Sequence, residues 1–501
     1  MDVFGIEDVP QLLEGEELEE VHEAFQEQAK DIEENRSRFE NSEELKAGFE
    51  VEYTLLNADN RQASEEVRDR IKDEEDFLDS ELAASVIETR TDPISEPDSL
   101  EEFQQELQEK EERTAELAAE RGFDLLRYGT NPFPTVEEFE RSGGPESRYE
   151  LFANFLDEAR NDGMVHDRFG IDEGFDPRDI HYSGMIASTQ TNMQAQSLED
   201  AVEKANLAYM FAPYAEALGA NARILEQGDT GVSDARMPLW ERSADVRQDD
   251  EFGENGPRAG KIDSYFDGIG DYLERLDPIY VAPDTDSAMD QAIDNNWEDV
   301  NIKFTDDAAL VEVRPFSIQP SVQEDLALSA FMMGRIAYAQ ENGEERLDID
   351  RVNRNRYSAM HNGLDTKLYD SSGNQGDATE VVEQELEYAR QGLDSLDVDY
   401  DNFIDGEQDL FDQAFGDRLE DGLAPGDRSA EKYRERRQDM PDEEALGEVM
   451  DEYRVSERPV RNNVGRGPIT NMGAYNHHQE DEDDDDFDES GFSDGGFVGP
   501  P

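Results

Sequence analysis

Cysteine is absent from the 501 residues. A disulfide framework, a thiolate zinc site and a cysteine nucleophile are thereby excluded. Basic residues are scarce: 45 Lys and Arg stand against 127 Asp and Glu, a formal net charge of −82. Bare DNA or RNA is therefore not expected as a partner, because neutralising phosphates takes a basic surface. No apolar run approaches the roughly 20 residues that span a bilayer. The stretch from Met1 to Val9 carries neither the basic nor the apolar segment that directs secretion. The expectation is a soluble, cytoplasmic protein with no nucleic acid or membrane as partner. Two phosphate-cradling patterns, GxxxxGK[ST] and GxGxxG, are missing as well, so any ATP site must be built by metal and not by a glycine loop.

What is present is acid, together with enough apolar material to fold. Low hydrophobicity with high net charge is the usual mark of disorder. Here 25 Phe, 17 Tyr and many aliphatic residues fall into periodic segments, which supplies a sizeable core. The cations are nine Lys and 36 Arg. A folded surface this acidic repels itself in dilute buffer, whereas at molar salt the Debye length shrinks to about 3 Å and the repulsion is screened. The acidity reads as adaptation to a salt-rich cytoplasm and carries no information on the substrate.

Along the chain, residues 15–46 form a charged helical pattern with Leu18, Val21, Phe25, Ile32 and Phe39 as its apolar positions. The segment from Gly48 to Leu56 alternates as a strand, with Phe49, Val51 and Tyr53 on one face and Glu50 and Glu52 on the other. A helix near 62–76 leads to a strand over 85–90, and a helix over 98–121 opens on Ser99 with Glu102 as a capping box. Strands follow at 123–128, 186–193 and 310–316. Helices are predicted at 146–161, 198–222 (Ala-rich and amphipathic), 321–341 and 378–394, with a loop over 228–262. Scattered alternating strands between helices favour an α+β fold with a mostly antiparallel sheet over a doubly wound parallel one. Beyond about 436 the pattern fades, and the run Glu480–Asp486 with its Gly-rich end reads as a disordered acidic tail.

Four polar constellations sit on strands, where a site is most rigidly built. They are Glu50 with Glu52; Glu81 with Glu88, seven residues apart; Gln190 with Asn192 and Gln194; and Glu312 with Arg314. Each pair alone is most simply a solvated face in so acidic a chain. Glu312/Arg314 is harder to dismiss, because its flanks are apolar: it is either a structural ion pair or part of a pocket. Together they suggest a concave face rich in carboxylates, which would repel unless divalent cations sat between them. Oxygen-only ligands select Mg²⁺ or Mn²⁺, which hold nucleotide phosphates. His166, His181 and His361 lack the spacing of a zinc helix and read as ordinary surface residues, and Met332-Met333 as core filler.

Taken in order, Gly48-Phe-Glu-Val-Glu52, Glu81-x6-Glu88, Gly129-Thr-Asn-Pro132, Ser147-Arg-Tyr149, Thr189-Gln-Thr-Asn-Met193, Ala217-Leu-Gly-Ala-Asn-Ala222 and Val311-Glu-Val-Arg314 with Gln319-Pro320 resemble glutamate–cysteine ligases. The likeness is to the branch shared by plant and proteobacterial enzymes and their carboxylate–amine ligase relatives, and covers roughly residues 45–395. The resemblance implies a glutamine-synthetase-like fold: a curved, mostly antiparallel sheet with helices on its outer face. It also implies ATP with Mg²⁺ or Mn²⁺ and two-step ligation of glutamate and cysteine through a γ-glutamyl phosphate. By position Glu50, Glu52, Glu88 and Glu312 resemble metal carboxylates, and Gln190 with Asn192 nucleotide-proximal polar groups. Arg314 and Glu81 resemble catalytic groups, and Arg236 the arginine that pairs with the substrate carboxylate. Arginine suits both of its tasks through bidentate geometry.

Two stretches depart from that pattern. Asn221-Ala-Arg-Ile-Leu-Glu-Gln-Gly228 replaces the usual Asn-Ser-Pro, and Ala235, Met237 and Pro238 replace aromatic and small residues around Arg236. They keep two further readings open: the same chemistry with a different amine, or a non-catalytic binder of nucleotide or amino acid. The domain expectation is a helical extension over 1–45, a catalytic domain over 46–395, a second helical extension over 396–435 and a disordered tail over 436–501. The charge balance makes one prediction: the unfolding midpoint should rise steadily between about 0.1 and 2 M KCl as screening takes hold. A midpoint that is flat or falls over that range, measured by circular dichroism, contradicts the halophilic reading.

Overall fold

The alternation at Gly48–Leu56 continues through the longest described strand, β1 (Lys46–Asn57), and the sheet is built around it. The structure is a computed structural model and describes residues 13, 15–40, 46–81, 83–91, 94–95, 100–135, 138, 180–244, 258–276, 284–294, 296–400 and 409–455. After β1 come β2 (Leu78–Ser80), β3 (Val86–Arg90), β4 (Ile94–Ser95), β5 (Phe123–Leu126) and β6 (Ser188–Gln194). Two small pairs follow: β7 (Ile224–Leu225) with β8 (Gly228–Asp229), and β9 (Arg258–Gly260) with β10 (Asn296–Glu298). Then come β11 (Val300–Phe304), β12 (Ala309–Ser317) and a last hairpin of β13 (Lys367–Tyr369) and β14 (Gln375–Asp377). The main sheet runs β11–β12–β6–β1–β3–β2, with β4 and β5 also on β1, and every pairing in it is antiparallel. The expected α+β architecture, a curled antiparallel sheet with helices outside, is the one observed.

Because side chains alternate across a strand, the sheet has two unlike faces. Phe49, Val51 and Tyr53 of β1, Ile87 of β3, Met193 of β6 and Val311 and Val313 of β12 are all buried in the principal core. Helices cover that face. In chain order the described helices are α1 (Gly15–Glu34), α2 (Glu65–Lys72), α3 (Leu100–Ala119), α4 (Leu198–Gly219), α5 (Arg236–Ala244), α6 (Ile269–Arg275), α7 (Ala288–Asp294), α8 (Val322–Asn342), α9 (Ile349–Asn362), α10 (Ala378–Ser395), α11 (Leu410–Asp421), α12 (Pro425–Arg436) and α13 (Asp442–Met450). Phe103 of α3 meets Phe49 edge to face at 5.0 Å, Tyr209 of α4 donates to the Val300 carbonyl at 2.8 Å, and Ser329 of α8 hydrogen-bonds Thr191 at 2.6 Å. Ser321 caps α8 by accepting from the Glu324 N–H, and Gly343 ends it in the left-handed region at φ 58°.

Several expectations need correction. The helix α4 is not amphipathic: from Lys204 to Gly219 every residue is buried, since the sheet lies on one side and helices on the others. The helix expected over 15–46 stops at Glu34, a short 3-10 turn holds Arg36–Phe39, and Lys46 already belongs to β1. Val21, Phe25, Ile32 and Phe39 join the main core, so this segment is not a separate extension. The loop over 228–262 contains α5 and β9. The boundaries at 395/396 and 436 also move, because α13 brings Leu446, Val449 and Met450 against Leu56, Leu126 and Tyr128 at the ends of β1 and β5. The described chain runs on to Val455. The helix expected at 146–161, Ser99, Ser147–Tyr149, His166 and the acidic run lie outside the described residues.

Helices α8 and α10 touch backbone to backbone. A Cβ at Gly392 would stand 1.7 Å from the Gly334 carbonyl oxygen, and one at Gly334 would stand 2.2 Å from that of Ala389. Only glycine fits this crossing. Gly392→Ala should therefore cost about 2 to 3 kcal/mol of stability, the usual penalty for forcing an atom into a filled core. Urea unfolding checks it, and an unchanged midpoint would mean that the helices are not in backbone contact.

Candidate functional site

The face of the sheet opposite the core collects the charges. Glu50 and Glu52 of β1 lie in register with Gln190 of β6 and Glu88 of β3, and Glu312 of β12 lies opposite Asn192. The four strand constellations thus come together on one surface, although they are spread over more than 200 residues of sequence.

One end of that surface is a group of carboxylates. Oxygens of Glu52, Glu81 and Glu88 lie within 4.8 Å of one another, the group among the described residues suited to a metal ion. Glu52 is held by the Ser188 N–H, which donates to Oε2 at 2.6 Å, and by the Gln190 amide, which donates to Oε1 at 3.1 Å. Glu88 is 6% exposed; burial first, then the charges of Glu50, Glu81 and Glu52, push its carboxyl well above the usual range. At an effective dielectric of about 20, each carboxylate pair at this separation repels by about 3 kcal/mol. An oxygen-only donor set of three clustered carboxylates fits a hard divalent cation, which removes that repulsion.

The other end carries its own counter-charges. Glu312, 1% exposed, accepts from Lys303 Nζ of β11 and lies 3.5 Å from Arg314 Nε. Burial raises its pKa, but Lys303 and Arg314 outweigh this and hold the carboxyl below its ordinary value. Arg314 also donates to the Asn296 carbonyl at 3.1 Å and stacks over the Trp240 ring at 6.0 Å. Glu50 accepts from the Asn192 amide at 3.0 Å; its pKa is raised chiefly by burial, with Lys303 opposing and Glu312 adding to the shift.

Arg236 begins α5 beside this surface. Asp234 aims it: Oδ1 accepts from the Arg236 N–H at 3.0 Å and caps the helix, while Oδ2 accepts from Ser317 Oγ at 2.6 Å and the Asn221 N–H at 3.2 Å. The guanidinium is buried, which lowers its pKa despite nearby Glu52, Asp234 and Glu216. Its Nη2 donates to the Arg314 carbonyl at 3.2 Å, and its Nε has no hydrogen-bond partner.

Placement departs from expectation at several residues. Glu81, read as a catalytic group apart from the metal carboxylates, sits among them. Glu50 and Glu312, read as metal ligands, lie in the neighbouring group with the cations. Gln190 and Asn192, read as cofactor-binding, donate their amides to Glu52 and Glu50 and so hold carboxylates in place. Lys303 and Asp234 were missed. The alternation of Val300–Phe304 just before a stronger strand is the signal for the first, and Asp two residues before Arg236 is a helix-cap signal for the second. His361 stacks on Tyr357 at 4.0 Å, and its backbone carbonyl accepts from the Ser233 N–H at 3.1 Å.

A curled antiparallel sheet, helices on one face and carboxylates with a few cations on the other, defines the glutamine-synthetase-like fold of carboxylate–amine ligases. The sequence pattern of Glutamate-cysteine ligase family 2 matches residues 46–452, and the chain belongs to that family. The fold is similar to that of the glutamate–cysteine ligase of Francisella tularensis, solved in complex with AMP, at 12% identity and TM-score 0.54; the match covers 84% of this chain and 91% of that one. A bifunctional glutathione synthetase from Pasteurella multocida matches at 13% identity and TM-score 0.49 over 85% of this chain and 54% of its own. No curated protein matches the sequence. Family membership supports a ligase that joins a carboxylate to an amine.

The crowding of Glu52, Glu81 and Glu88 has opposite consequences with and without cation. Glu88→Gln should raise the unfolding midpoint in chelator at a pH high enough to ionise Glu88, because its repulsion with Glu52 and Glu81 is then relieved. The same variant should lose most of the stabilisation that millimolar Mn²⁺ gives the unaltered protein. Equal Mn²⁺ shifts in both proteins would place the cation elsewhere.

Proposed function

We propose that the protein is an ATP-dependent glutamate–cysteine ligase that forms γ-glutamylcysteine. The observation that carries the reading is the meeting of three close carboxylates with Glu312, Arg314 and Lys303 on one sheet face, and Arg236 of α5 beside it, in a member of this family. The AMP bound by the Francisella tularensis ligase supports a nucleotide as a ligand. In the first step the γ-carboxylate of glutamate attacks the terminal phosphorus of ATP, giving γ-glutamyl phosphate and ADP. In the second the amine of cysteine attacks the acyl carbon, phosphate leaves and the nitrogen gives up a proton.

Each residue has a part in this chemistry. Glu52, Glu81 and Glu88 would hold Mg²⁺ or Mn²⁺, and the bound cation offsets charge on phosphate oxygens. Arg314 supplies a guanidinium, fixed by Asn296 and Glu312, for the phosphoryl group in transfer. Lys303 keeps Glu312 ionised and adds a second positive charge at the same end. Arg236, with an unused N–H, takes a carboxylate of the amino-acid substrate.

A second reading, the same reaction with a different amine, is favoured by the replaced residues around Arg236. Met237 lies within 3.5 Å of its Nη1, and Asn221, which opens the other altered stretch, is spent on the Arg127 and Ile318 carbonyls. ADP release from ATP, Mg²⁺, glutamate and single amino acids in molar KCl separates the readings. Release that needs cysteine supports the first, release with another amine the second, and tight Mg-ATP binding without turnover a non-catalytic protein. Glu312→Gln should lower turnover by about 100-fold or more with the fold intact, since Lys303 and Arg314 lose their common anchor. If both Glu312→Gln and Arg314→Ala keep the original rate, this face is not the active site.

A further inference from the structure

Arg314 occupies an irregular point of β12. The register against β6 shifts between Val313 and Phe316, and the ladder to β11 ends where Val313 meets Val300. Two bonds to other segments hold the Arg314 backbone there. Its N–H donates to the Asp299 carbonyl at 2.9 Å, and its carbonyl accepts from Arg236 Nη2 at 3.2 Å. A third arginine connects the far sides of these partners. Arg356 of α9 is buried; it donates from Nε and Nη2 to the two carboxylate oxygens of Asp299 at 2.6 and 3.1 Å, and from Nη1 to Glu241. Glu241 belongs to α5, the helix that Arg236 begins. The contacts therefore close into a ring that runs from Arg236 along α5 to Glu241, then through Arg356 and Asp299 to Arg314 and back. Gly260 lies against this ring at φ 76°, where a Cβ would stand 2.7 Å from both Arg356 Nη2 and Glu241 Oε2. Its carbonyl accepts from the Asp299 N–H at 2.8 Å. Only glycine leaves room for the bridge.

A buried cation between two carboxylates is a poor way to stabilise a fold, since apolar residues of similar volume often do as well or better. A planar guanidinium adds direction: its rigid fork bonds two carboxylates at set angles, which neither an ammonium nor an apolar side chain does. We propose that Arg356 is a positioning residue, a clamp that fixes α5 against Asp299 and so sets the separation of Arg236 from Arg314. The inference rests on the proposed function, in which that separation is the one between the substrate carboxylate and the phosphoryl group in transfer. Relative placement of two such groups is felt in the transition state, where both must act at once.

The experiment compares two variants with the unaltered full chain in molar KCl, by steady-state kinetics and thermal unfolding. One is Arg356→Lys. The other is an apolar triple variant, Arg356→Met with Asp299→Leu and Glu241→Met. The triple variant should keep or raise the unfolding midpoint and still lose about 10- to 100-fold in kcat, with KM for ATP within about twofold. Arg356→Lys keeps the charge but cannot span both carboxylates; its kcat should fall by a similar factor, and it decides the question if the triple variant does not fold. Stabilisation by millimolar Mn²⁺ should be unchanged in both, because Glu52, Glu81 and Glu88 are untouched. A triple variant that turns over at the original rate, or that loses rate and midpoint together, overturns this inference alone. Where only the lysine variant folds, an unchanged kcat does the same, and so does a rate that falls together with the midpoint and the Mn²⁺ stabilisation, the mark of a structural role. No glutamate-dependent ADP release from the unaltered protein with any amine overturns the substrate reading, and this inference with it.

Discussion

The constraint on which the rest of the structure depends is the gathering of like charges on one buried sheet face. Glu52 and Glu88 stand directly opposite each other on β1 and β3, an arrangement that destabilises a sheet, and Asp79 of β2 follows in the same row. Nothing local favours it. It persists because the reverse face of the same strands is a continuous apolar layer under α3, α4 and α8, so register is fixed from the core side. A one-residue slip would turn Phe49, Val51 and Tyr53 out and the glutamates in. The hydrophobic face thus holds the electrostatic one in place.

Within the charged face the compensation is uneven, and the unevenness carries the chemistry. Glu312 has Lys303 and Arg314 and stays ionised. Glu88 has three carboxylates around it and a single distant arginine, Arg90, at 4.0 Å from its Oε1. Hydrogen bonds from Ser188 and Gln190 orient Glu52 but bring no positive charge. The carboxylate end is therefore the poorer in cations, with Arg90 at the edge of ion-pair range of Glu88, while Glu312 has both Lys303 and Arg314; in the proposed function that contrast would set the direction of a metal-bound polyphosphate.

How much of this was legible follows from which contacts are local. Period-two alternation in Gly48–Leu56, Thr189–Met193 and Leu310–Phe316 is a property of single strands, so the shared faces of Glu50 and Glu52, of Gln190 and Asn192, and of Glu312 and Arg314 were readable. Which strand lies beside which is not local. The opposition of Glu52 to Glu88 and the reach of Lys303 to Glu312 arise only when chain segments far apart pair. Glu81 follows β2 off any regular element, which hid its place beside Glu52. Helices α11 and α12 lie in the stretch expected to be a helical extension, whereas α13 lies in the stretch read as a disordered tail, and it was hidden for another reason. The nine residues Asp442–Met450 bury only Ala445, Leu446, Val449 and Met450, too short a run for its period to stand out from the acid that opens it. In α4 the opposite happened: burial on all sides erased the polar face that was expected.

The large net charge and the site are connected through the arginines. Among the described residues seven arginines but one lysine are buried: Arg68, Arg127, Arg236, Arg335, Arg356, Arg418 and Arg454, with Lys204. A guanidinium is more weakly hydrated than an ammonium and can satisfy two oxygens at once, which makes it the cation that tolerates an interior. Salt screens exposed pairs such as Arg70 with Glu66 and leaves them little to contribute. Arg127, by contrast, is fully enclosed by Glu111, Asp325 and the Tyr53 hydroxyl, and Arg335 by Glu385 and Glu344. Ions in the solvent cannot reach these pairs. A chain whose surface electrostatics depend on salt thus keeps those of its core beneath the reach of that salt, and Arg236 belongs to the same buried set as the arginines that hold the core together, whereas Arg314 and Lys303 beside Glu312 stay partly exposed.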